Sequence, residues 1–380
     1  MSTSAAAQPA SSTGARPRLQ WLATPWRTFL AVLLTQAPVF AILLLGYLYR
    51  LMGRQVLHYW WRRADSREES FEDFLRDDPA TAEHLTLPNF FLAQNRRDRE
   101  RDGSFIRSLP GLLTASLWQN LRTGLAGILT LWAVTLPGAV LMLFAWYDGW
   151  NNSFNKGYEN APVGPLTGIL GLVLFSVAAA YIPLAQARQA GCGDWRVFFD
   201  VRTNLRLLHS RAFAALVLTA GYLAASVPVT LIYTLPGFLP QMDFMAERYQ
   251  RMTDAEVLAY IKGWYFWGGA LFVALLIALK RAGAHLYAGA VLRCLARGSV
   301  RPERLHEFER TTLARLGLDD CGEPTSPTRT ASVLVMLVLV LPWLTFTAEI
   351  FVAQFFTYQA GHGWLNQPLL QLPWMNYVPP

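Results

Sequence analysis

The stretch that decides the fold class is LTGILGLVLFSVAAAYIPLAQA, residues 166–187. It contains no Asp, Glu, Lys or Arg, and it is as long as a helix must be to cross about 30 Å of hydrocarbon. A backbone in lipid has to satisfy its own hydrogen bonds, so such a run predicts a transmembrane helix. The stretch therefore places the chain among helical membrane proteins.

Similar runs recur along the chain and predict an all-α, polytopic transmembrane bundle of about six spans. Hydrophobic residues make up 53% of the sequence and mean hydropathy is +0.24, which is typical of such a bundle. The alternating ten-residue pattern of a membrane β-barrel is absent. Pro38 lies near the centre of the first run, which predicts either a kinked span or a re-entrant pair of half-helices. The predicted spans are Phe29–Tyr49, Gly124–Trp146, Leu166–Ala187, Ala212–Thr234, Trp264–Leu292 and Ala331–Tyr358.

Arginines are concentrated in the first, third and fifth loops, whereas the second loop has only Lys156. Because basic loops remain in the cytoplasm, we expect the odd-numbered loops there and the even-numbered loops outside. The conflict in this scheme is the N-terminus, where Arg16, Arg18 and Arg27 would be translocated if the first span crosses. The composition is typical of a multi-pass protein of the bacterial inner membrane. The net charge of +7 belongs to these loops, and without a recognition motif it does not indicate a nucleic-acid partner.

The sequence divides into four segments. Residues 1–25 are rich in Ser, Ala, Thr and Pro and predict a disordered tail. Residues 26–300 form the main membrane domain, with a charged cytoplasmic insertion at about 62–107. A cytoplasmic loop follows at 301–330, and residues 331–380 hold the final span and an aromatic, outward-facing tail.

Three loop segments predict short amphipathic helices at the membrane surface. Asp194–Arg211 has apolar residues at helical spacing with arginines between them, which suits an anionic cytoplasmic surface. Asp194 is a plausible N-cap for this segment. Thr253 with Glu256 predicts a capping box that starts a short outer helix running into the fifth span. Arg301–Leu316 has a weaker pattern of the same kind.

Four ionisable residues in or near the spans are candidates for intramembrane polar or lipid-headgroup contacts. Glu349 lies well inside the last span, where it either binds a proton or cation or forms a structural hydrogen bond or ion pair. Lys280 and Arg281 either bind an anion or extend toward the cytoplasmic headgroups, and the sequence favours the headgroups. His285 has no second ligand nearby, which favours packing over metal binding. No metal or cofactor is predicted.

The sequence lacks a phosphate-binding glycine loop, a zinc motif and a nucleophile elbow, so we do not expect an enzyme. The first functional hypothesis is a scaffold or assembly component of a membrane complex, which binds a protein partner through residues 62–107. Aromatic residues in and beside this insertion support protein contacts. The alternative is a transporter or lipid-handling protein that uses Glu349 in a polar intramembrane site. The lipid bilayer is a partner in either case.

Several short motifs of the chain are shared with one known family. They are Leu45-Gly-Tyr-Leu-Tyr-Arg, Leu87-Pro-Asn-Phe, Arg122-Thr-Gly-Leu, Tyr181-Ile-Pro-Leu-Ala-Gln-Ala-Arg-Gln-Ala, Gly193-Asp-Trp-Arg-Val-Phe-Phe-Asp and Leu205-Arg-Leu-Leu. By these motifs the chain resembles domain-of-unknown-function family 4013, a family of polytopic bacterial membrane proteins. The resemblance covers residues 29–300 and implies a helical membrane fold, but it carries no established reaction and no site residues. The insertion between Arg62 and Arg107 is longer than the family pattern implies.

Overall fold

The computed structural model describes residues 20–64, 70–82, 105–146, 163–320, 322, 329–357 and 365–375. Within these ranges the protein is helical and has no strand. In chain order the helices are α1 (Gln20–Thr35), α2 (Pro38–Trp61), α3 (Phe71–Arg76), α4 (Pro79–Ala82), α5 (Phe105–Phe144), α6 (Val163–Cys192), α7 (Val201–Ser210), α8 (Ala212–Phe238), α9 (Asp243–Arg251), α10 (Asp254–Ala296), α11 (Glu307–Arg315) and α12 (Arg329–Thr357). Short 3-10 turns cover Trp195–Phe199, Leu239–Gln241 and Pro302–Arg304.

Five of these helices are long and apolar enough to cross a membrane, which confirms the predicted class of a helical, multi-pass bundle. A further long helix, α12, covers the last predicted span and is apolar over Leu337–Glu349. The predicted capping box is present at the start of α10, where the Thr253 N–H donates to Glu256 Oε2 at 2.8 Å. The five helices are Pro38–Trp61, Ser116–Phe144, Val163–Cys192, Ala212–Gln241 and Asp254–Ala296.

The predicted first span, Phe29–Tyr49, is wrong in its bounds. Pro38 does not kink a helix but starts α2, after a break at Gln36 and Ala37. Helix α1 packs against α2 and α10, and Arg27 is close enough to Tyr47 for their charges to interact. Helix α1 therefore folds back alongside α2, and α2 alone is long enough to cross, so neither predicted arrangement of Phe29–Tyr49 describes this segment fully.

Helix α6 lies at the centre of the bundle and packs against α2, α5, α10 and α12. We call the end of the bundle where α2, α6 and α10 finish and α8 begins the arginine-rich end. It carries Arg62 and Arg63 after α2, Arg211 before α8 and Arg297 after α10. Arg27 lies beside Tyr47 and not beyond the start of α2, because α1 folds back along α2. Arg27 therefore does not have to lie at the end of the bundle opposite the arginine-rich end.

Two of the predicted surface helices differ in detail from the structure. Asp194–Arg211 is not one helix, because Asp194 caps the 3-10 turn and Asp200 then caps α7 by accepting from the Thr203 N–H. Only part of the predicted apolar face is exposed, because Phe198 and Leu208 are buried in the bundle. Arg301–Leu316 is divided into a 3-10 turn and α11. The exposed apolar residues are Trp195, Phe199, Val201 and Leu205.

Both chain ends differ from their predictions where the structure describes them. Helix α1 begins at Gln20, so residues 20–25 are helical and residues 1–19 lie outside the described ranges. Residues 365–375 pack into the end opposite the arginine-rich end, with Leu369 and Met375 fully buried. The Met375 N–H donates to the Thr35 carbonyl at 2.8 Å, so the tail covers the bundle rather than extending from it.

Candidate functional site: a buried polar row on helix α6

Helix α6 carries four polar side chains that are buried inside the bundle and contact different helices. They are at most 4% exposed, which is unusual for groups that need hydrogen-bond partners. Each of them interacts with a residue far away in the chain. The four are Ser176, Gln186, Arg188 and Gln189.

The first contact joins α6 to Lys280 on α10. The Lys280 Nζ donates to Gln186 Oε1 at 2.6 Å, and the lysine is 1% exposed. Within the described ranges no carboxylate forms an ion pair with this amine, and Gln186 Nε2 has no hydrogen-bond partner. The helices approach closely here, because a Cβ on Gly283 would lie 3.3 Å from the Pro183 carbonyl oxygen. Among the described residues Lys280 is therefore a buried amine without a carboxylate partner.

The second contact links α6 to α2 and α5. Gln189 Oε1 accepts hydrogen bonds from Thr130 Oγ1 at 2.9 Å and from the Tyr49 hydroxyl at 3.5 Å. Gln189 follows Gln186 by three residues, so the two amides lie on one face of α6. Neutral polar groups from three helices thus continue the row beside the lysine.

The third contact is a fully buried ion pair between Arg188 and Glu309 on α11. Arg188 Nε and Nη2 donate to the two carboxylate oxygens of Glu309 at 2.9 and 3.0 Å. The side chains are 1% and 0% exposed. The Tyr287 hydroxyl donates to Glu309 Oε1 at 2.5 Å, so a helix outside the spans is fastened to α6 and α10. Paired, bidentate geometry of this kind compensates the removal of both charges from water.

Asp200, at the start of α7, also forms an ion pair with Arg188. Arg188 Nη1 donates to Asp200 Oδ2 at 2.9 Å. Partial burial by itself raises the pKa of Asp200, but hydrogen bonds from Thr203 and Arg188 outweigh it and lower the pKa below its ordinary value. The Asp200 carboxylate is therefore ionised at neutral pH, and Arg188 holds two acidic partners.

Glu309 also organises its own helix. The His306 N–H donates to Glu309 Oε2 at 2.7 Å and completes a capping box at the start of α11. His306 Nε2 lies 3.5 Å from Asp194 Oδ2, so the segment before α11 also contacts the end of α6. Helix α11 is thus held over the arginine-rich end by a set of polar contacts centred on one buried carboxylate.

The structure does not bring the four predicted site residues together. Lys280 points inward, so the expectation that it extends to the headgroups is wrong. Arg281 and His285 are exposed on another face of α10. Glu349 on α12 is half-buried and accepts a hydrogen bond from the Ser226 hydroxyl on α8 at 2.5 Å. This contact is a structural hydrogen bond, one of the two roles predicted for Glu349, but Ser226 was not the expected partner.

Sequence reasoning missed Gln186, Arg188 and Glu309. The signal for the first two was present, since polar residues follow Pro183 between small alanines in a long apolar helix. Glu309 gave no such signal, because an acidic residue in a charged loop ordinarily faces solvent. Its burial follows only from the docking of α11.

The insertion at about 62–107 is described only at 62–64, 70–82 and 105–107. Several of the aromatic residues in and beside it contact this chain itself: Trp60 and Phe74 are buried, and Phe71 packs against Trp61. Arg315 of α11 donates to the Phe74 carbonyl at 2.9 Å and lies over its ring. Phe90 and Phe91 lie outside the described residues, and the protein partner stays a prediction.

No family model matches the chain, and no curated protein or solved structure matches it either. The resemblance to family 4013 thus stays an expectation from short motifs. The functional argument has to come from the geometry of the polar row.

Proposed function

We propose that this chain is a transport protein of the bacterial inner membrane, which binds an anionic group at Lys280 inside its helical bundle. The observation that carries the proposal is the buried Lys280 amine, which has a neutral amide as its hydrogen-bond partner and no carboxylate among the described residues. The anion would take the place of the missing counter-charge. The unpartnered Gln186 Nε2 supplies a second donor beside it.

The energetic argument rests on the cost of burying an unpaired charge. Removing an ammonium group from water costs several kcal/mol even after the protein relaxes. Ionisable groups inside membrane bundles are rare for this reason, and they commonly mark pathways for ions or substrates.

Protein covers both ends of the polar row, as expected for an occluded site. At the arginine-rich end α11 lies over α6 through the Arg188–Glu309 pair. At the opposite end Gln371 Nε2 donates to Thr135 Oγ1 at 2.6 Å, so residues 365–375 contact α5 there. An anion that reaches Lys280 would have to displace one of these covers.

The test is to measure anion-driven currents of the purified protein in proteoliposomes adsorbed on a solid-supported membrane. Concentration jumps of chloride, acetate and inorganic phosphate serve as probes. We expect a current with at least one anion, and Lys280→Met should reduce it to the protein-free background because the charge is lost while the side-chain volume is retained.

Lys262→Met is the matched control, since Lys262 lies on the same helix and is exposed. It should keep the wild-type current. An absence of current with all three anions, or a Lys280→Met variant as active as the wild type, would overturn the proposal.

A further inference from the structure

A second basic cluster lies on the outside of the arginine-rich end. The His285 ring packs edge-on against the Tyr59 ring, with centroids 5.5 Å apart. Arg211 Nη1 donates to the His285 carbonyl at 3.5 Å, and Arg281 is also close enough to act on the charge of His285. Helix α10 and the residue before α8 thus bring two arginines and a histidine to one exposed place beside Tyr59 of α2.

Gly289 of α10, which has no side chain, leaves room for Arg211. A Cβ on Gly289 would lie 1.9 Å from Arg211 Nη1 and 2.8 Å from the Tyr59 hydroxyl. The guanidinium therefore crosses directly over the backbone of α10, one turn after His285. A residue larger than glycine would push it away.

The cluster has cations without matching carboxylates. In the parts of the chain that the structure describes, neither Arg211 nor Arg281 forms an ion pair. Arg63 lies over the Tyr59 ring at 4.8 Å and adds a further positive charge. A planar guanidinium with free donors beside other cations is the group that best recognises a phosphate.

The surroundings indicate that the phosphate belongs to a lipid. Arg281 and His285 continue an exposed stripe on α10 that is otherwise apolar, and Trp267 at its start is 74% exposed. The spacing of three or four residues keeps the stripe on one face of the helix. Between Trp267 and the two basic residues the stripe contains Leu271, Ala274 and Ala278.

We propose that Arg211, Arg281 and His285 bind the phosphate of an anionic phospholipid, whose acyl chains lie along the exposed stripe of α10. This site lies on the outside of the bundle, and its occupancy does not require an anion at Lys280. Small alanines leave space for a chain there, and the phosphate ends at the basic residues.

The experiment titrates the delipidated full chain with dioleoylphosphatidylglycerol or dioleoylphosphatidylcholine and counts bound lipid by native mass spectrometry. Arg211→Gln and Arg281→Gln each remove a charge, and Gly289→Ala displaces the Arg211 guanidinium while keeping it. We expect each to weaken phosphatidylglycerol binding roughly tenfold or more, as for a lost charge-assisted hydrogen bond. Arg248→Gln, an exposed arginine of α9 at the other end, should bind like the wild type.

Equal wild-type binding of the two lipids would overturn the proposal, as would wild-type affinity in Arg281→Gln and Gly289→Ala. Arg281 is exposed and Gly289→Ala adds a single methyl group, so these two variants decide the outcome if Arg211→Gln does not fold. Inorganic phosphate is the third arm. If millimolar phosphate displaces phosphatidylglycerol completely, the site takes free phosphate and the assignment to a lipid is wrong.

Discussion

At the scale of single residues, two buried basic side chains of the bundle differ in their partners. Arg188 is surrounded by the carboxylates of Glu309 and Asp200, whereas Lys280 has only the amide of Gln186. A complete pair costs little to bury, but removal of one partner leaves an uncompensated charge. Arg188 is therefore suited to holding structure together, and Lys280 to receiving a ligand.

The Glu309→Gln substitution should be strongly destabilising. It removes one of the two carboxylates that pair with the buried Arg188, and it places an amide donor among the groups that now donate to Glu309. We expect a loss of about 1–3 kcal/mol, as for buried polar groups left without a partner. The measurement is the midpoint of thermal unfolding in detergent, which should fall by several degrees.

Glu307→Gln is the control for this change, because Glu307 lies on the same short helix but is exposed. Its unfolding midpoint should stay at the wild-type value. If Glu309→Gln also unfolds like the wild type, the ion pair does not hold α11 to the bundle.

At the scale of helices, α2 and α5 meet backbone to backbone. A Cβ on Gly46 would lie 1.8 Å from the Asn120 carbonyl oxygen, and one on Gly124 would lie 2.0 Å from the Ile42 carbonyl oxygen. Small residues at such crossings permit the close packing that drives helix association in lipid. The two glycines thus set the distance between α2 and α5.

Gly124→Ala should separate these two helices. The added methyl group meets backbone, which cannot rotate away, so we expect a loss of at least about 1–3 kcal/mol. Thermal unfolding in detergent measures it. Gly263→Ala is the matched control, since nothing lies within 4 Å of its Cβ position and alanine favours helix. A Gly124→Ala protein that is as stable as Gly263→Ala would contradict the close crossing.

At the scale of the whole molecule, the fold separates an arginine-rich end from an end closed by residues 365–375. Helices α2, α6 and α10 all finish at the former, and α9 lies between the outer ends of α8 and α10. Basic segments remain in the cytoplasm during insertion, so the arginine-rich end should face the cytoplasm.

Labelling of single cysteines checks this orientation. With Cys192, Cys294 and Cys321 replaced by alanine, Arg248→Cys on α9 should react with a membrane-impermeant maleimide added to intact spheroplasts. Arg304→Cys, beside α11, should react only after the membrane is permeabilised. The reverse pattern would show that the charge rule does not govern this protein.

The sequence by itself determined the features that depend on local physics. Long uncharged runs predicted the spanning helices because hydropathy and helix length act within one segment, and Thr253 with Glu256 marked the start of α10 for the same reason. Pro38 marked the break in the first span, although its role as the first residue of α2 was missed.

Only the tertiary structure decided which polar residues form a site. Lys280 meets Gln186 across 94 positions, and Arg188 meets Glu309 across 121. No periodicity encodes such contacts, because they depend on which helix faces pack together. For the same reason the sequence identified Lys280 as a candidate but predicted that its side chain extends to the lipid headgroups, whereas it lies inside the bundle. The docking of α11, which depends on the assembled bundle, decided that Glu309 is buried and that the arginine-rich end is covered.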